Sequence, residues 1–217
     1  MPTKRSYGDP CGIARALDLV GERWALLVVR ELLLGPKRFT DLREGLPHLS
    51  ADVLSQRLRE LEAAGVVRRA KLPPPAGSRV YELTDWGGEL EPVVLALGRW
   101  GSRAPFPAGD MPLGADALMI ALKTVFDPTR SDGLETVIEI GLGDHRFRAV
   151  VADGHLEIGR GDTHDAAATI QGDPASLAAV LWHGAPLARS GVELSGDRRA
   201  VERFLRLFPA PRPAQGE

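Results

Sequence analysis

A single cysteine, Cys11, excludes any disulfide within the 217-residue chain and fits a reducing compartment. No apolar run approaches the roughly 20 residues that a membrane-spanning helix needs. The opening Met1-Pro-Thr-Lys-Arg-Ser-Tyr7 lacks the hydrophobic region of a secretion signal. A cytoplasmic protein with no membrane partner is therefore expected. Catalytic signatures are also missing. His145, His155, His164 and His183 lie near Asp144, Asp153, Asp162 and Asp165, but none repeats at ligand spacing. Most of these residues fall where turns are expected, and there Asp serves the backbone. Gly141-Leu-Gly143 is too short for a dinucleotide fingerprint and opens no helix. No catalytic residue, metal site or cofactor is expected, and the chain does not read as an enzyme.

What remains is a globular composition, 44% hydrophobic and 26% charged, long enough for one large domain or two ordinary ones. The net charge of −2 conceals an asymmetry. Residues 1–104 carry 16 Lys and Arg against 13 Asp and Glu, and the rest carry 11 against 16. A mildly basic front half beside an acidic rear half suggests that only the front meets a polyanion.

The front half is organised around residues 50–64. Leu54, Leu58 and Leu61 recur at helical spacing and predict one buried stripe. Ser50 is a suitable N-cap, Leu49 can staple onto Leu54, and Gly65 stands where a left-handed residue ends a helix. Asp52, Ser55, Gln56 and Arg59 lie opposite the leucines, with Arg57 on the flank. Before this helix, 11–20 reads as a short amphipathic helix. Residues 23–34 read as a second, with Trp24, Leu27, Val28 and Leu32 facing inward and Gly35-Pro36 ending it. Residues 39–46 form a third, with Thr40 as its cap. Short helix, tight turn and longer polar-faced helix make a helix-turn-helix. After Gly65 the period changes. Residues 66–72 and 79–84 read as two strands joined by 73–78, a hairpin wing whose Arg68, Arg69, Lys71 and Arg79 suit phosphates or a minor groove. Thr84 caps a further helix to about Gly101. Its stripe of Leu90, Val94, Leu97 and Trp100 has no partner within a winged helix and is expected at a dimer interface.

These residues resemble the HxlR family of bacterial transcriptional regulators, relatives of the MarR group. The likeness is carried by Cys11-Gly-Ile-Ala-Arg-Ala-Leu-Asp-Leu-Val-Gly-Glu-Arg-Trp24 and Leu32-Leu-Leu-Gly-Pro-Lys-Arg-Phe-Thr-Asp-Leu42. Leu54-Ser-Gln-Arg-Leu-Arg-Glu-Leu61, Tyr81-Glu-Leu-Thr84 and Ala96-Leu-Gly-Arg-Trp100 complete it. Gly12 departs from the proline that the family often has. The resemblance implies a homodimer, paired through the first and last helices of the domain, on an imperfect palindrome. It also implies that a cysteine at position 11 can sense oxidants or electrophiles by thiol chemistry. Arg15, one turn on, would help a thiolate. The alternative is a small apolar residue packed against the dimer mate.

Residues 105–112 read as a Pro/Gly-rich linker, and 210–217 as a tail. Between them, 113–126 forms an apolar helix, followed by alternating segments at 135–141, 145–152, 155–160 and 167–172. Helices at 174–183 and 198–208 flank a short strand at 192–195. This stretch resembles a sterol carrier protein type two-like domain through Phe147-Arg-Ala-Val-Val-Ala-Asp-Gly-His-Leu-Glu-Ile158, Ala166-Ala-Ala-Thr-Ile-Gln-Gly-Asp-Pro-Ala-Ser-Leu177 and Gly191-Val-Glu-Leu-Ser-Gly-Asp-Arg-Arg-Ala-Val-Glu-Arg-Phe204. That resemblance implies a five-stranded sheet with helices on one face and an apolar cleft between them. The fold class expected is thus α+β, a winged helix-turn-helix domain over 1–104 and a sterol-carrier-like domain over 113–209.

In the reading that follows, the N-terminal half of helix 50–64 enters the major groove of double-stranded DNA. Gln56 pairs with adenine and Arg57 or Arg59 with guanine, supported by Ser50 and Ser55. Asp52 accepts from a cytosine or stabilises the helix N-terminus. Lys37 and Arg38 hold the neighbouring backbone, and Arg69, Lys71 and Arg79 the phosphates beyond. In the rear domain, Leu118, Met119, Leu122, Phe126, Leu181, Trp182 and Phe204 either line a site for a hydrophobic small molecule or close a core. The competing class is a hydrophobic-ligand carrier that uses its helix-turn-helix to dimerise.

Overall fold

A computed structural model describes residues 6–73, 77–105 and 112–214. The expected linker lies outside the described residues over 106–111, as do the tip of the wing at 74–76 and the last three residues of the expected tail. Two compact units are present, Met1–Val94 and Leu95–Glu217. The division falls inside a helix.

The first unit contains α1 (Gly12–Val20), α2 (Ala25–Leu32), α3 (Phe39–Gly45), α4 (Ala51–Ala63), β1 (Val67–Lys71), β2 (Arg79–Leu83), α5 (Asp85–Gly88) and the first turn of α6 (Glu91–Gly101). Leu54, Leu58 and Leu61 of α4 are each no more than 1% exposed and share a core with Val28, Val29, Leu32 and Leu42. The Ser50 Oγ accepts from the Val53 N–H at 3.4 Å, and Gly65 takes the left-handed φ of +73°. Three local expectations are corrected. The stripe of α2 is Ala25, Val28, Val29 and Leu32, at i, i+3, i+4 and i+7, which turns Leu27 outward and leaves it exposed. Thr40 lies inside α3 and does not cap it. There the Asp41 carboxylate reaches back to the Arg38 N–H at 3.1 Å. The single helix expected over 84–101 is two, α5 and α6.

The break after α5 has a steric companion. The Thr84 Oγ1 donates to the Gly65 carbonyl at 2.7 Å and accepts from the Gly87 N–H at 3.0 Å. This draws α5 onto the start of the wing so closely that a Cβ on Gly87 would stand 2.0 Å from the Val66 carbonyl oxygen.

The second unit begins with the rest of α6, then α7 (Ala115–Val125), a 3-10 turn at Pro128–Arg130, β3 (Thr136–Leu142), β4 (His145–Ala152), β5 (His155–Arg160) and β6 (Ala168–Gly172). It closes with α8 (Pro174–Trp182), a 3-10 turn at Leu187–Arg189, β7 (Glu193–Gly196) and α9 (Arg198–Leu205). The five-stranded sheet has the order β5-β4-β3-β6-β7. β3 and β6 are parallel, and the other pairs antiparallel. Asp153 and Gly154 both have positive φ, as the tight β4–β5 hairpin requires. Register puts Ile140 beside Phe147 and Ile170, and Ile138 beside Ala149 and Ala168. All are buried. The alternate positions carry Glu139, Arg148, Glu157 and Thr169. A charged contact joins helix to sheet: Asp116, buried in the first turn of α7, holds Arg160 at the end of β5. The Arg160 guanidinium also lies 5.1 Å from the Phe147 ring centre.

The two neighbouring glycines of α5 give a matched test. Gly87→Ala is expected to destabilise the protein by about 1–3 kcal/mol through overpacking against Val66. Gly88→Ala, with nothing within 4 Å of its added Cβ, should be neutral or gain about 0.4–1 kcal/mol. Urea denaturation followed by circular dichroism measures both, and equal behaviour of the pair would refute the close approach.

Candidate nucleic-acid interface

With its leucine stripe dry, α4 turns Asp52, Gln56 and Arg59 to solvent, and leaves Ser55 half-buried. Ser50 caps the same end, also exposed. The Gln56 amide is held in place, donating to the Glu60 Oε1 at 3.0 Å one turn on. Five of the expected recognition residues thus run along one face of a helix, from its cap to its third turn.

Arg57 does not join them. It is 7% exposed, and its Nη1 pairs with the Glu60 Oε2 at 2.7 Å and the Glu22 Oε2 at 3.4 Å. Burial in the seam between α4 and the chain before α2 takes this guanidinium off the reading surface, because two acids compensate it there. Glu60 therefore serves both neighbours, bonding Gln56 outside and Arg57 inside.

Lys37 is the second correction. It is 5% exposed, with its Nζ 2.5 Å from the Glu31 Oε2. The other oxygen of Glu31 accepts from Arg30 at 2.7 Å. Gly45 completes the enclosure, since a Cβ there would lie 2.2 Å from the Glu31 carboxylate. The Lys37 backbone also bridges to Tyr81 of β2, donating to its carbonyl at 2.9 Å and accepting from its N–H at 2.8 Å. Lys37 thus ties the helices to the wing, with its charge buried against Glu31. The sequence carried a signal for this pair: Glu31, three residues after buried Val28, is an acid on the inward face of α2 and needs a cation. Arg38, next in the chain, is exposed.

On the wing, Arg68 pairs with Glu82 across the strands at 2.7 Å. That hydrogen bond, and then the charge of Glu82, raises the Arg68 pKa above its ordinary value. Arg69 pairs with Glu62 at 3.2 Å and lies 5.7 Å from the Tyr81 ring centre. Lys71 and Arg79 are directly opposed in register and both exposed. Like charges facing each other across a ladder are destabilising alone and are relieved by an anion between or above them.

The HxlR-like helix-turn-helix family matches residues 19–106. YvaP of Bacillus subtilis, an uncharacterized HTH-type transcriptional regulator, is 41% identical over 88 residues, 41% of this chain and 82% of the relative. The chain belongs to this HxlR-like family. An uncharacterized HTH-type transcriptional regulator of Synechocystis is 38% identical over 95 residues, 44% of this chain and 70% of its own length. The HTH-type transcriptional regulator YodB of Bacillus subtilis is 36% identical over 88 residues, 41% and 79% of the two chains.

In the rear unit, Leu118, Met119, Leu122 and Phe204 are each no more than 1% exposed. They fill the layer between helices and sheet, so the cleft expected among them is packed. Trp182 is half-buried, with its indole N–H enclosed. Phe126 and Leu181 do border surface depressions, of about 490 and 510 Å³. Cys11 is exposed immediately before α1. Among the described residues, no helix is long and apolar enough to cross a membrane.

Lys37 separates a structural from a DNA-binding role. Lys37→Met is expected to lower stability by about 3 kcal/mol, because Glu31 is left buried with only Arg30. The slope of DNA affinity against salt should stay unchanged. A flattened slope at unchanged stability would return Lys37 to the phosphate-binding set.

Proposed function

We propose that the protein is a sequence-specific, DNA-binding transcriptional regulator, acting in the cytoplasm as a homodimer on a palindromic operator. The observation that carries this reading is the exposed polar face of α4, with Gln56 held by Glu60 and Arg59 reaching outward, on a unit whose wing sets Lys71 against Arg79. Gln56 reads adenine and Arg59 guanine in the major groove. Ser50, Ser55 and Asp52 frame them, and Arg38, Arg69, Lys71 and Arg79 neutralise phosphates. The names of the relatives support regulation. Repression is its simplest form, since a dimer occupying the duplex excludes other proteins from it.

Dimerisation rests on two helices whose apolar side chains face water. α1 exposes Ile13 and Leu17, and α6 exposes Val93, Leu97 and Trp100, the last at 75%. Soluble monomers seldom leave such groups uncovered together. Leu90 and Val94, expected in that stripe, pack partly against the core of the first unit, so the face offered to a mate keeps Leu97 and Trp100 and gains Val93. We read the rear unit as a sterol-carrier-like effector domain, supported by its five-stranded sheet and flanking helices. A hydrophobic small molecule would reach it at the accessible Phe126 and Leu181. Exposed Cys11 is open to thiol chemistry, and with one cysteine per chain a disulfide would join two subunits or take up a small thiol.

Operators selected from a random duplex library test this reading by fluorescence anisotropy. Gln56→Ala should cost about 1–3 kcal/mol on the selected operator and relax preference at one base pair of each half-site. Lys71→Gln should weaken every sequence alike and reduce the salt slope by about 1 per subunit. A carrier that used these helices only for pairing would show neither effect. Trp100→Glu should shift the protein to monomer in sedimentation; a dimer of undiminished affinity would remove α6 from the interface.

A further inference from the structure

Residues 95–217 are acidic in sum, 13 Lys and Arg against 16 Asp and Glu, yet four of their twelve arginines line one depression. Arg99 from the last turn of α6, Arg103 just beyond it, Arg130 from the first 3-10 turn and Arg212 from the C-terminal segment line one depression of about 490 Å³. Among the described residues the one acid in its lining is Asp127. Its Oδ2 accepts from Arg130 at 3.0 Å and its Oδ1 from the Thr129 hydroxyl at 2.6 Å. The cations therefore outnumber the anions in this hollow, and nothing in the covalent design of the fold requires them to meet.

The hollow is fixed by backbone. The Ala214 N–H donates to the Arg103 carbonyl at 2.9 Å, pinning the C-terminal segment across the end of α6, and the Asp127 N–H donates to the Leu207 carbonyl at 2.9 Å. Gly98 allows α6 to lie against α7, since a Cβ there would come within 3.0 Å of the Thr124 methyl. Apolar groups share the lining with the arginines. Phe126 is among them, tilted against Phe208 with ring centres 6.3 Å apart, as are Pro209 and Pro211.

Planar guanidinium forks match phosphate and carboxylate oxygens in pairs, and several together suit a group with more than one negative charge. A concave site whose lining mixes apolar and charged groups suits a small molecule. A duplex backbone offers charge without an apolar body to meet Phe126 and the prolines. We propose that this groove binds a small organic phosphate, its phosphoryl group held by Arg99, Arg103 and Arg212 and a ring-sized apolar portion resting on Phe126 and the prolines. The site is separate from the packed side chains Leu118, Met119, Leu122 and Phe204, and it stands whether or not α4 reads DNA.

The full-length protein, without DNA, is titrated calorimetrically with 1-naphthyl phosphate. Saturable binding of one molecule per chain is expected. The double variant Arg99→Gln/Arg103→Gln should weaken it by about tenfold or more, as loss of charge-assisted bonds predicts, while melting as the parent does. Arg212→Gln, outside every helix and strand, should give a loss of the same kind should the double variant melt early. 1-Naphthol and inorganic phosphate should each bind about tenfold more weakly than the ester, since each lacks one half of the match. Absence of saturable binding, affinity retained in the arginine variants, or equal affinity for inorganic phosphate overturns the proposal. Displacement of the ester by a short random-sequence duplex overturns it too, by assigning the groove to nucleic-acid backbone.

Discussion

The polar face of α4 is available because the opposite side of the helix is dry. Leu54, Leu58 and Leu61 are sealed against α2 and α3, and each such burial is worth about 1.5–3 kcal/mol. A helix rotated by one residue, about 100°, would lose much of that burial and carry Gln56 and Arg59 toward the core. Apolar packing thus fixes the azimuth at which the polar groups emerge, although none of the three leucines touches a ligand. The remaining tolerance is taken up by charge: Arg57 ties the helix to Glu22, and the Glu31–Lys37 pair ties α2 to the wing.

What was legible in the sequence was what is decided locally. The cap at Ser50, the stop at Gly65 and the leucine stripe are set by neighbours within one or two turns, and they stand where periodicity put them. The strands of the rear unit were readable within about a residue for the same reason, since Gly143-Asp144 and Asp153-Gly154 punctuate them. The misplaced residues were long cations. Lys37 and Arg57 look like surface groups until Glu31 and Glu22 are seen beside them, and Glu22 is brought there by folding. A Lys or Arg beside a polar helix can serve either surface, and only the location of a compensating acid decides it. Glu60, three residues from Arg57, was a local hint of that outcome.

The rear unit posed a different problem. Leu118, Met119, Leu122 and Phe204 have the same composition whether they surround a cavity or fill it, because volume filling is a property of all the facing side chains at once. The arginine hollow was illegible for a related reason. Arg99, Arg103, Arg130 and Arg212 are scattered over more than a hundred positions and share no period. They are assembled by long-range backbone contacts, Ala214 to the Arg103 carbonyl and Asp127 to that of Leu207.

Glu60 carries a consequence for how this protein can change over time. Its two oxygens serve an outward amide and an inward guanidinium at once, so the base preference proposed for Gln56 and the stability of the fold would be inherited through one carboxylate. A lineage altering residue 60 would leave the buried Arg57 with Glu22 as its remaining acid, and would have to repack that seam before a new preference could spread. Residue 56, whose loss costs the interior nothing, is the freer route.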